Sequence, residues 1–344
     1  MTALLDRTIT DDLTRRQLLG AGGVAALGFG LGACATGPAA SAPDTPSAAG
    51  FPVRVDGRFG PTIVPRPPQR VVALGMGPDE DAALALGMVP VAAAASDSLP
   101  GGAAPWVTQV PGGAAVEQVD TTAGLPFERI AALRPDLIVA TTAYSLERDH
   151  DRLSAIAPVL AFSTGPNTDR WQDTTRRVGH VLGRDAQAEQ TVRDVENRIA
   201  QARARHPQLD GRTFTFGPVT PDGSIYTTNT TADLSAGFLQ QLGLRLSPRA
   251  QALAPSGTRG KALVSPEVLD AIDADVMVLT YTTQDPAVRK KVEGSPLFTR
   301  LPAVRRGSYV AVDLAAALGM AFPSALSLGY VLDHIVDTIA AAVR

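Results

Sequence analysis

The chain has 344 residues, of which 45% are hydrophobic and 19% are charged, a composition typical of a globular protein with a sizeable core. Its net charge of −3 argues against a nucleic-acid-binding protein, and its single cysteine excludes both an intramolecular disulfide framework and a multi-cysteine metal site. At roughly 100–200 residues per domain, this length predicts two domains or lobes.

The first segment of the chain is typical of an export signal. Arg15 and Arg16 follow a polar start, and an uncharged run rich in glycine, alanine and leucine covers residues 18–33. This run is shorter than the roughly 20 residues that a transmembrane helix needs. We therefore predict that residues 1–33 form a signal peptide for the twin-arginine export pathway.

The only cysteine of the chain, Cys34, directly follows small residues at the end of this run. The arrangement resembles a bacterial lipobox, in which the signal peptidase cuts before a cysteine that is then acylated; a buried or chance cysteine is the alternative. The residues after Cys34, up to residue 50, are almost wholly Ala, Pro, Ser, Thr and Gly and cannot build a core. We therefore predict a lipidated Cys34, a disordered tether within residues 34–50, and a domain anchored to the outer face of the cytoplasmic membrane.

Beyond residue 50, short apolar runs alternate with helical patterns, which predicts α/β units. The turn Gly75-Met76-Gly77-Pro78 follows the first run and opens a helix over residues 79–86. A dinucleotide-binding fingerprint is the alternative for this turn, but its third glycine is missing. Strands are predicted over residues 70–74, 89–95, 137–141, 159–162, 213–216, 276–280 and 308–312.

A pattern of fourteen residues occurs twice, 139 positions apart. Residues 128–141 and 267–280 both begin with glutamate, place apolar residues at helical spacing, turn at an aspartate, and continue as an apolar strand that ends in threonine. Any helix–turn–strand unit shares part of this pattern. The agreement without a gap favours two lobes that are built alike.

Between the two copies, residues 184–206 contain neither glycine nor proline. Apolar residues spaced by four, three, four and three positions predict one buried stripe on a helix about 33 Å long. The stripe consists of Ala188, Val192, Val195, Ile199 and Ala202. A surface helix is the alternative, but a strut between lobes fits its position after the first set of α/β units. We predict an N-terminal lobe over residues 51–183, this connecting helix, and a C-terminal lobe over residues 207–344.

The export signal, the two similar lobes and the long helix together resemble the helical-backbone class of ABC-transporter substrate-binding proteins. The resemblance covers residues 51–344 and implies an α/β fold, in which two similar lobes are joined by one long helix and enclose a ligand cleft. An amino-terminal hairpin ahead of the first strand is most similar to the siderophore branch of the class. The stretches that carry the resemblance are RVVALGMGPDEDAALALG, PFERIAALRPDLIVATT, LVSPEVLDAIDADVMVLTYTT and SPLFTRLPAVRRGSYVAVD.

The resemblance also implies a function. It implies a binding protein that captures a ferric siderophore and delivers it to the permease dimer of an ABC importer for iron uptake. A haem- or cobalamin-binding protein is the alternative within the class. An exported enzyme or adhesin is the alternative outside it, although no H-E-x-x-H, Walker A or G-x-S-x-G motif occurs. We expect a monomer that is not an enzyme and has no cofactor, resident metal or nucleic-acid partner.

Two glutamates correspond to the permease-docking positions of this class. In the class, a glutamate at the tip of each lobe enters an arginine pocket of the permease, and by motif these positions are Glu128 and Glu267. Two carboxylates on rigid helix starts, one on each lobe, suit bidentate pairing with arginines of a two-fold permease. The alternative is a carboxylate that only favours the dipole of its own helix.

Side chains just beyond the carboxyl ends of strands are the candidates for ligand contact, because open α/β sheets bind ligands at that edge. Aromatic faces suit a bulky chelate or macrocycle, and arginine or lysine suits an anionic siderophore. Core packing is the alternative for the aromatic residues, and solvated surface is the alternative for the cations. Residues 318–324 lack the arginine or tryptophan that the family often carries in its last cleft loop, which leaves haem or a hydroxamate chelate open. The candidates are Trp106, Tyr144 and Arg148 in the N-terminal lobe, with Met76 and Asp79 beside them, and Tyr226, Arg259, Lys261, Tyr281 and Phe322 in the C-terminal lobe; Trp171 is assigned to the core.

Overall fold

Two β-sheets with corresponding strand orders organise residues 50–343, the residues that the computed structural model describes. The predicted signal peptide, Cys34 and all but the last residue of the predicted tether lie outside them. Ahead of both sheets, β1 (Val53–Gly57) and β2 (Gly60–Val64) form the predicted antiparallel hairpin. Within residues 50–343, no single helix is long and apolar enough to cross a bilayer, and only one bent pair of helices near the carboxyl end passes the same test together.

The N-terminal lobe is a parallel sheet that carries helices. Its strand order is β5-β4-β3-β6-β7, and every neighbouring pair is parallel. The central strands β3 and β6 are buried along their whole length, as expected where helices cover both faces of a parallel sheet. In chain order the elements are β3 (Val71–Ala73), α1 (Pro78–Ala85), β4 (Ala92–Ala94), β5 (Glu117–Val119), α2 (Phe127–Ala132), β6 (Leu137–Ala140), α3 (Leu146–Ser154), β7 (Val159–Ala161) and α4 (Trp171–Val181).

The connecting helix α5 (Asp185–Arg205) packs into the cores of both lobes. All five residues of the predicted stripe are buried. Ala188 packs with the core of the N-terminal lobe, whereas the other four, from Val192 to Ala202, pack with the core of the C-terminal lobe. Because one regular helix about 31 Å long contributes to both cores, it restrains the position of one lobe relative to the other.

The C-terminal lobe repeats the arrangement of the first. Its strand order is β11-β9-β8-β12-β13, with β10 beside β8. Strand β9 runs antiparallel to both neighbours, whereas β8, β12 and β13 are parallel. In chain order the elements are β8 (Thr213–Val219), β9 (Ile225–Thr228), α6 (Leu234–Gln241), β10 (Arg245–Leu246), α7 (Pro248–Gln251), β11 (Lys261–Val264), β12 (Val276–Tyr281), α8 (Pro286–Glu293), α9 (Pro296–Thr299), α10 (Pro302–Arg305), β13 (Tyr309–Val312), α11 (Leu314–Ala321), α12 (Ala325–His334) and α13 (Val336–Ala342). Short 3-10 helices cover Pro100–Gly102, Val107–Gln109, Gly113–Ala115, Pro207–Leu209 and Pro266–Ile272.

The two copies of the repeated pattern occupy the same place in the two sheets. The first copy forms α2 and β6, and the second forms the 3-10 helix Pro266–Ile272 and β12. In each copy the aspartate of the turn accepts hydrogen bonds from the start of the neighbouring strand. Asp136 accepts from backbone N–H groups just ahead of β3 at 2.8–3.1 Å, and Asp275 accepts from the N–H and hydroxyl of Thr213 at 2.7 and 2.8 Å. This shared contact confirms two lobes of similar construction.

Two predicted elements differ from the structure. Strand β4 covers only three residues rather than 89–95, because Pro90 has no N–H group to donate to the sheet. The helix of the second repeat copy is a 3-10 helix that begins at Pro266 and is interrupted at Val268, where φ is −116°. Trp171, by contrast, lies at the start of α4 and is 5% exposed, which confirms its assignment to the core.

Candidate functional site

A cavity of about 670 Å³ opens between the two lobes. The loops that follow β3, β4, β5 and β6 line it, so it lies at the carboxyl edge of the parallel sheet, where α/β folds generally bind ligands. The C-terminal lobe contributes Leu318 of α11 and Phe322 directly after that helix. The volume falls in the range of small-molecule sites, about 300–1,000 Å³.

Five of the predicted ligand-contact residues line this cavity: Met76, Trp106, Tyr144, Arg148 and Phe322. Tyr144 is 58% exposed and therefore has an aromatic face free for a ligand. Trp106 is 7% exposed, and its ring lies 5.3 Å from that of Tyr330 in the C-terminal lobe. Trp106 thus belongs both to the cavity wall and to the contact between the lobes.

The cavity lining does not include Asp79 or the other four candidates of the C-terminal lobe, Tyr226, Arg259, Lys261 and Tyr281. Tyr226 lies within β9 rather than beyond the end of a strand. The Nζ of Lys261 donates to Oδ2 of Asp233 at 2.9 Å, so its charge is already paired. Tyr281 ends β12 and packs against the core of the C-terminal lobe, and Arg259 is exposed. A role of these four in ligand contact stays a prediction.

Three consecutive acidic residues, Asp79, Glu80 and Asp81, form the first turn of α1 and are here called the acidic turn. They are 0%, 5% and 1% exposed, and Glu80 and Asp81 line the cavity. The sequence pattern indicated only Asp79 as a candidate. Acidic residues are common in the first turn of any helix, so the other two gave no signal of a site. Burial raises the pKa of Asp79 to about 6 and the pKa values of Glu80 and Asp81 to about 7, since the charged forms lose their hydration.

Each carboxylate of the acidic turn has a different set of partners. Asp81 accepts hydrogen bonds from Nε1 of Trp106 at 2.9 and 3.0 Å and from the hydroxyl of Ser324 at 2.6 Å. Asp79 accepts from the N–H of Thr141 at 3.2 Å and from the hydroxyl of the same residue. Glu80 accepts one hydrogen bond, from Nε2 of Gln118 at 3.2 Å.

The two arginines that line the cavity are engaged by neighbours. Arg148 forms two hydrogen bonds to Asp149, at 2.9 and 3.0 Å, and these bonds lower the pKa of that carboxylate. The guanidinium carbon of Arg152 lies 3.5 Å from the ring centre of Phe127, in cation–π contact. Within residues 50–343, no group of three or more His, Cys, Asp or Glu side chains is arranged to hold a metal ion.

Glu128 and Glu267 occupy corresponding places in the two lobes. Each lies in the first turn of the helix that follows an edge strand, β5 in one lobe and β11 in the other. Both side chains are exposed. Hydrogen bonding from Ser265 lowers the pKa of Glu267. Two exposed carboxylates, one on each lobe, are therefore available to a partner.

The chain matches known proteins in sequence. The sequence profile described as "Periplasmic binding protein" matches residues 71–313. The Fe(3+) dicitrate-binding periplasmic protein FecB of Escherichia coli (strain K12) is 26% identical over 271 residues, which cover 76% of this chain and 83% of FecB.

Solved structures share the fold over nearly their whole length. A periplasmic solute binding protein from Mycobacterium smegmatis has a TM-score of 0.71 and 29% identity, covering 85% of this chain and 99% of that one. PiaA of Streptococcus pneumoniae, an iron uptake ABC transporter substrate-binding protein, was solved in complex with ferrichrome. That complex has a TM-score of 0.70 and 25% identity, covering 84% of this chain and 98% of PiaA.

Proposed function

Because the chain belongs to the periplasmic binding protein family of ABC-transporter substrate-binding proteins, we propose that it captures a ferric siderophore outside the cytoplasm and delivers it to the permease of an iron importer. The observation that carries this proposal is the cavity of about 670 Å³ between the lobes, which both lobes line with aromatic side chains. FecB is named for binding ferric dicitrate, and PiaA was solved with ferrichrome. Both ligands are organic chelates of ferric iron.

Capture in this cavity requires no chemical change of the ligand. Trp106, Tyr144 and Phe322 present apolar and aromatic surface, and burying apolar surface contributes about 25 cal/mol per Å². Aromatic rings also stack on the flat ligand arms of a chelate. The iron is held by the chelator, so the protein needs to recognise only the outer shape and charge of the complex.

Delivery depends on the two exposed glutamates. Glu128 and Glu267 present one carboxylate on each lobe, at corresponding sites. Arginines of a permease dimer can pair bidentately with both carboxylates at once, which makes docking depend on the relative position of the lobes. The loaded protein therefore binds the permease in the orientation that the two glutamates define.

The same function requires the protein to remain close to the membrane. Residues 1–33 have the pattern of a twin-arginine signal peptide, and Cys34 follows it as the acceptor of a lipid. A lipid anchor keeps the receptor near the importer and prevents its loss after export. Acylation at Cys34 is tested by mass spectrometry of the mature amino-terminal peptide. We expect the added mass of a lipid in the wild type and no such mass in a Cys34→Ala variant.

Tryptophan fluorescence tests the proposed ligand class on the purified full chain. The chain has two tryptophans, and Trp106 lines the cavity whereas Trp171 is in the core. We expect saturable quenching by a ferric siderophore, much weaker quenching by the iron-free siderophore, and none by haem or cobalamin. A Trp171→Phe variant keeps the quenching, and a Trp106→Phe variant loses it. The proposal is contradicted if the quenching saturates only with haem or cobalamin, or if no ferric siderophore quenches the fluorescence.

A further inference from the structure

The charges that line the cavity are unequal in number. Carboxylates outnumber guanidinium groups, and both guanidinium groups already have a partner, a carboxylate for one and an aromatic ring for the other. The acidic turn adds Asp79, which is fully buried next to the lining. Above about pH 7, where Glu80 and Asp81 are mostly ionised, a ligand that enters this cavity therefore meets a surplus of negative charge. The lining groups are Glu80, Asp81, Asp97, Asp149, Arg148 and Arg152.

Glu80 is the carboxylate with unused capacity for hydrogen bonds. It lines the cavity, is 5% exposed, and accepts a single hydrogen bond, from Gln118. Among the described residues no donor reaches its second oxygen, and Oε1 of Gln118 also has no partner. An ionised carboxylate accepts about four hydrogen bonds when fully satisfied. The donors that Glu80 lacks have to come from the space of the cavity itself.

Its two neighbours do not offer a free oxygen to the cavity. Both oxygens of Asp81 accept from Trp106, and one also accepts from Ser324, so Asp81 joins the two lobes. Asp79 accepts from Thr141 through Oδ1, and although its Oδ2 has no hydrogen-bond partner among the described residues, the side chain is fully buried and does not line the cavity. Glu80 is therefore the group of the acidic turn that meets the ligand, with two further carboxylates beside it that disfavour an anion.

We propose that the cavity selects ferric chelates that carry a protonated amine, which donates hydrogen bonds to the carboxylate of Glu80, over neutral or anionic chelates of similar size. The inference rests on the proposed function and adds the charge class of the ligand. Three hydroxamates neutralise ferric iron, so a pendant ammonium group gives such a chelate a net positive charge. Citrate and catecholate chelates are anionic and meet the surplus of carboxylates unfavourably.

A matched pair of ligands isolates the amine. Ferrioxamine B is a ferric trihydroxamate with a terminal ammonium group, and its N-acetylated form differs only in the loss of that charge. At pH 8, above the pKa of Glu80, the purified full chain is titrated with both, with neutral ferrichrome and with anionic ferric dicitrate, and the Trp106 fluorescence is followed. We expect ferrioxamine B to bind at least about tenfold more tightly than its acetylated form, the size of one hydrogen bond between charged groups.

The variant Glu80→Gln assigns the preference to one side chain. It keeps the size of the residue and removes the charge, so we expect the preference for the amine to fall below about threefold. Glu147→Gln makes the same change in net charge at an exposed residue outside the cavity and keeps the preference. The ligand pair on the unchanged chain tests the inference even where the variant fails to fold.

The outcomes separate this inference from the proposed function. Equal affinity for the two forms of ferrioxamine B, tightest binding of ferrichrome or ferric dicitrate, or a preference that survives in Glu80→Gln overturns the amine inference. In each of these cases a ferric chelate still binds, and the proposed function stands. Absence of binding to all four chelates overturns both.

Discussion

The hydroxyl of Ser324 donates a 2.6 Å hydrogen bond to Oδ2 of Asp81, across 243 positions of sequence and between the two lobes. The same carboxylate accepts from Nε1 of Trp106. Ser324 also caps α12, because its Oγ accepts from the N–H of Ser327 at 2.9 Å. One buried carboxylate therefore holds together the start of α1, the loop that carries Trp106, and the start of α12.

Removing this carboxylate destabilises the protein. In Asp81→Ala the indole N–H of Trp106 and the hydroxyl of Ser324 lose their acceptor inside the protein, and each buried unpaired donor costs about 1–3 kcal/mol. We expect the free energy of unfolding in urea to fall by about 2–5 kcal/mol. The exposed cavity residue Asp97 is the control, and Asp97→Ala changes the free energy by no more than about 0.5 kcal/mol. An equally small effect of Asp81→Ala contradicts the structural role.

Burial of Glu80 makes stability depend on pH. Its pKa is raised from 4.5 to about 7, mainly by loss of hydration, so the folded protein holds a proton there that the unfolded chain releases. This contribution to stability is complete below pH 4.5 and is lost as the pH rises towards 7. The Glu80→Gln variant has no titrating group at this position and does not lose this stability. We expect its free energy of unfolding, relative to that of the wild type, to rise by roughly 2 kcal/mol from pH 4 to pH 8.

Urea unfolding of both proteins at several pH values measures this gain, with Asp79, Asp81 and Gln118 unchanged around the site. Glu147, which is exposed and pairs with Arg58, provides the control. We expect the free energy of unfolding of Glu147→Gln to differ from that of the wild type by a nearly constant amount at all pH values. A constant difference for Glu80→Gln as well means that Glu80 does not titrate in this range.

Charge reversal of the docking glutamates separates transport from binding. If the two glutamates dock as proposed, Glu128→Arg combined with Glu267→Arg places like charges opposite arginines of the permease, and losing such charge pairs costs about 2–5 kcal/mol. We expect cellular uptake of the radiolabelled iron chelate to fall at least about tenfold. The affinity of the purified protein for the chelate stays within about twofold, because neither residue lines the cavity. Unchanged uptake contradicts the docking role, and Glu147→Arg is the control for an exposed charge elsewhere.

The connecting helix limits closure of the lobes. Because α5 packs into both cores and Asp81 bonds to Ser324 across the cavity, we expect the radius of gyration to change by less than about 1 Å when ligand is added. Small-angle X-ray scattering of the apo and saturated protein measures the change. A compaction of several ångströms means that the lobes hinge freely in spite of the helix.

Local patterns in the sequence predicted the two lobes and the connecting helix. The repeat of residues 128–141 at 267–280 and the stripe on α5 are periodicities of neighbouring residues, and the structure confirms both except that the helix of the second copy is a 3-10 helix. The paired contacts of Asp136 and Asp275 show why the repeat is so regular, since each carboxylate bonds to the start of the corresponding central strand, β3 in one lobe and β8 in the other. These features depend on the spacing of residues that are close in the sequence, so the sequence alone predicts them.

Which side chains line the cavity was decided only by the tertiary structure. Trp106 and Tyr144 line it, whereas Tyr226 and Tyr281 do not, because β9 reverses direction and β12 ends against its own core. In the sequence the acidic turn is an ordinary acidic helix start. Packing within the N-terminal lobe and against the C-terminal lobe removes its water and changes its pKa values, and part of this burial comes from Ser324, which contacts Asp81 across 243 positions of sequence.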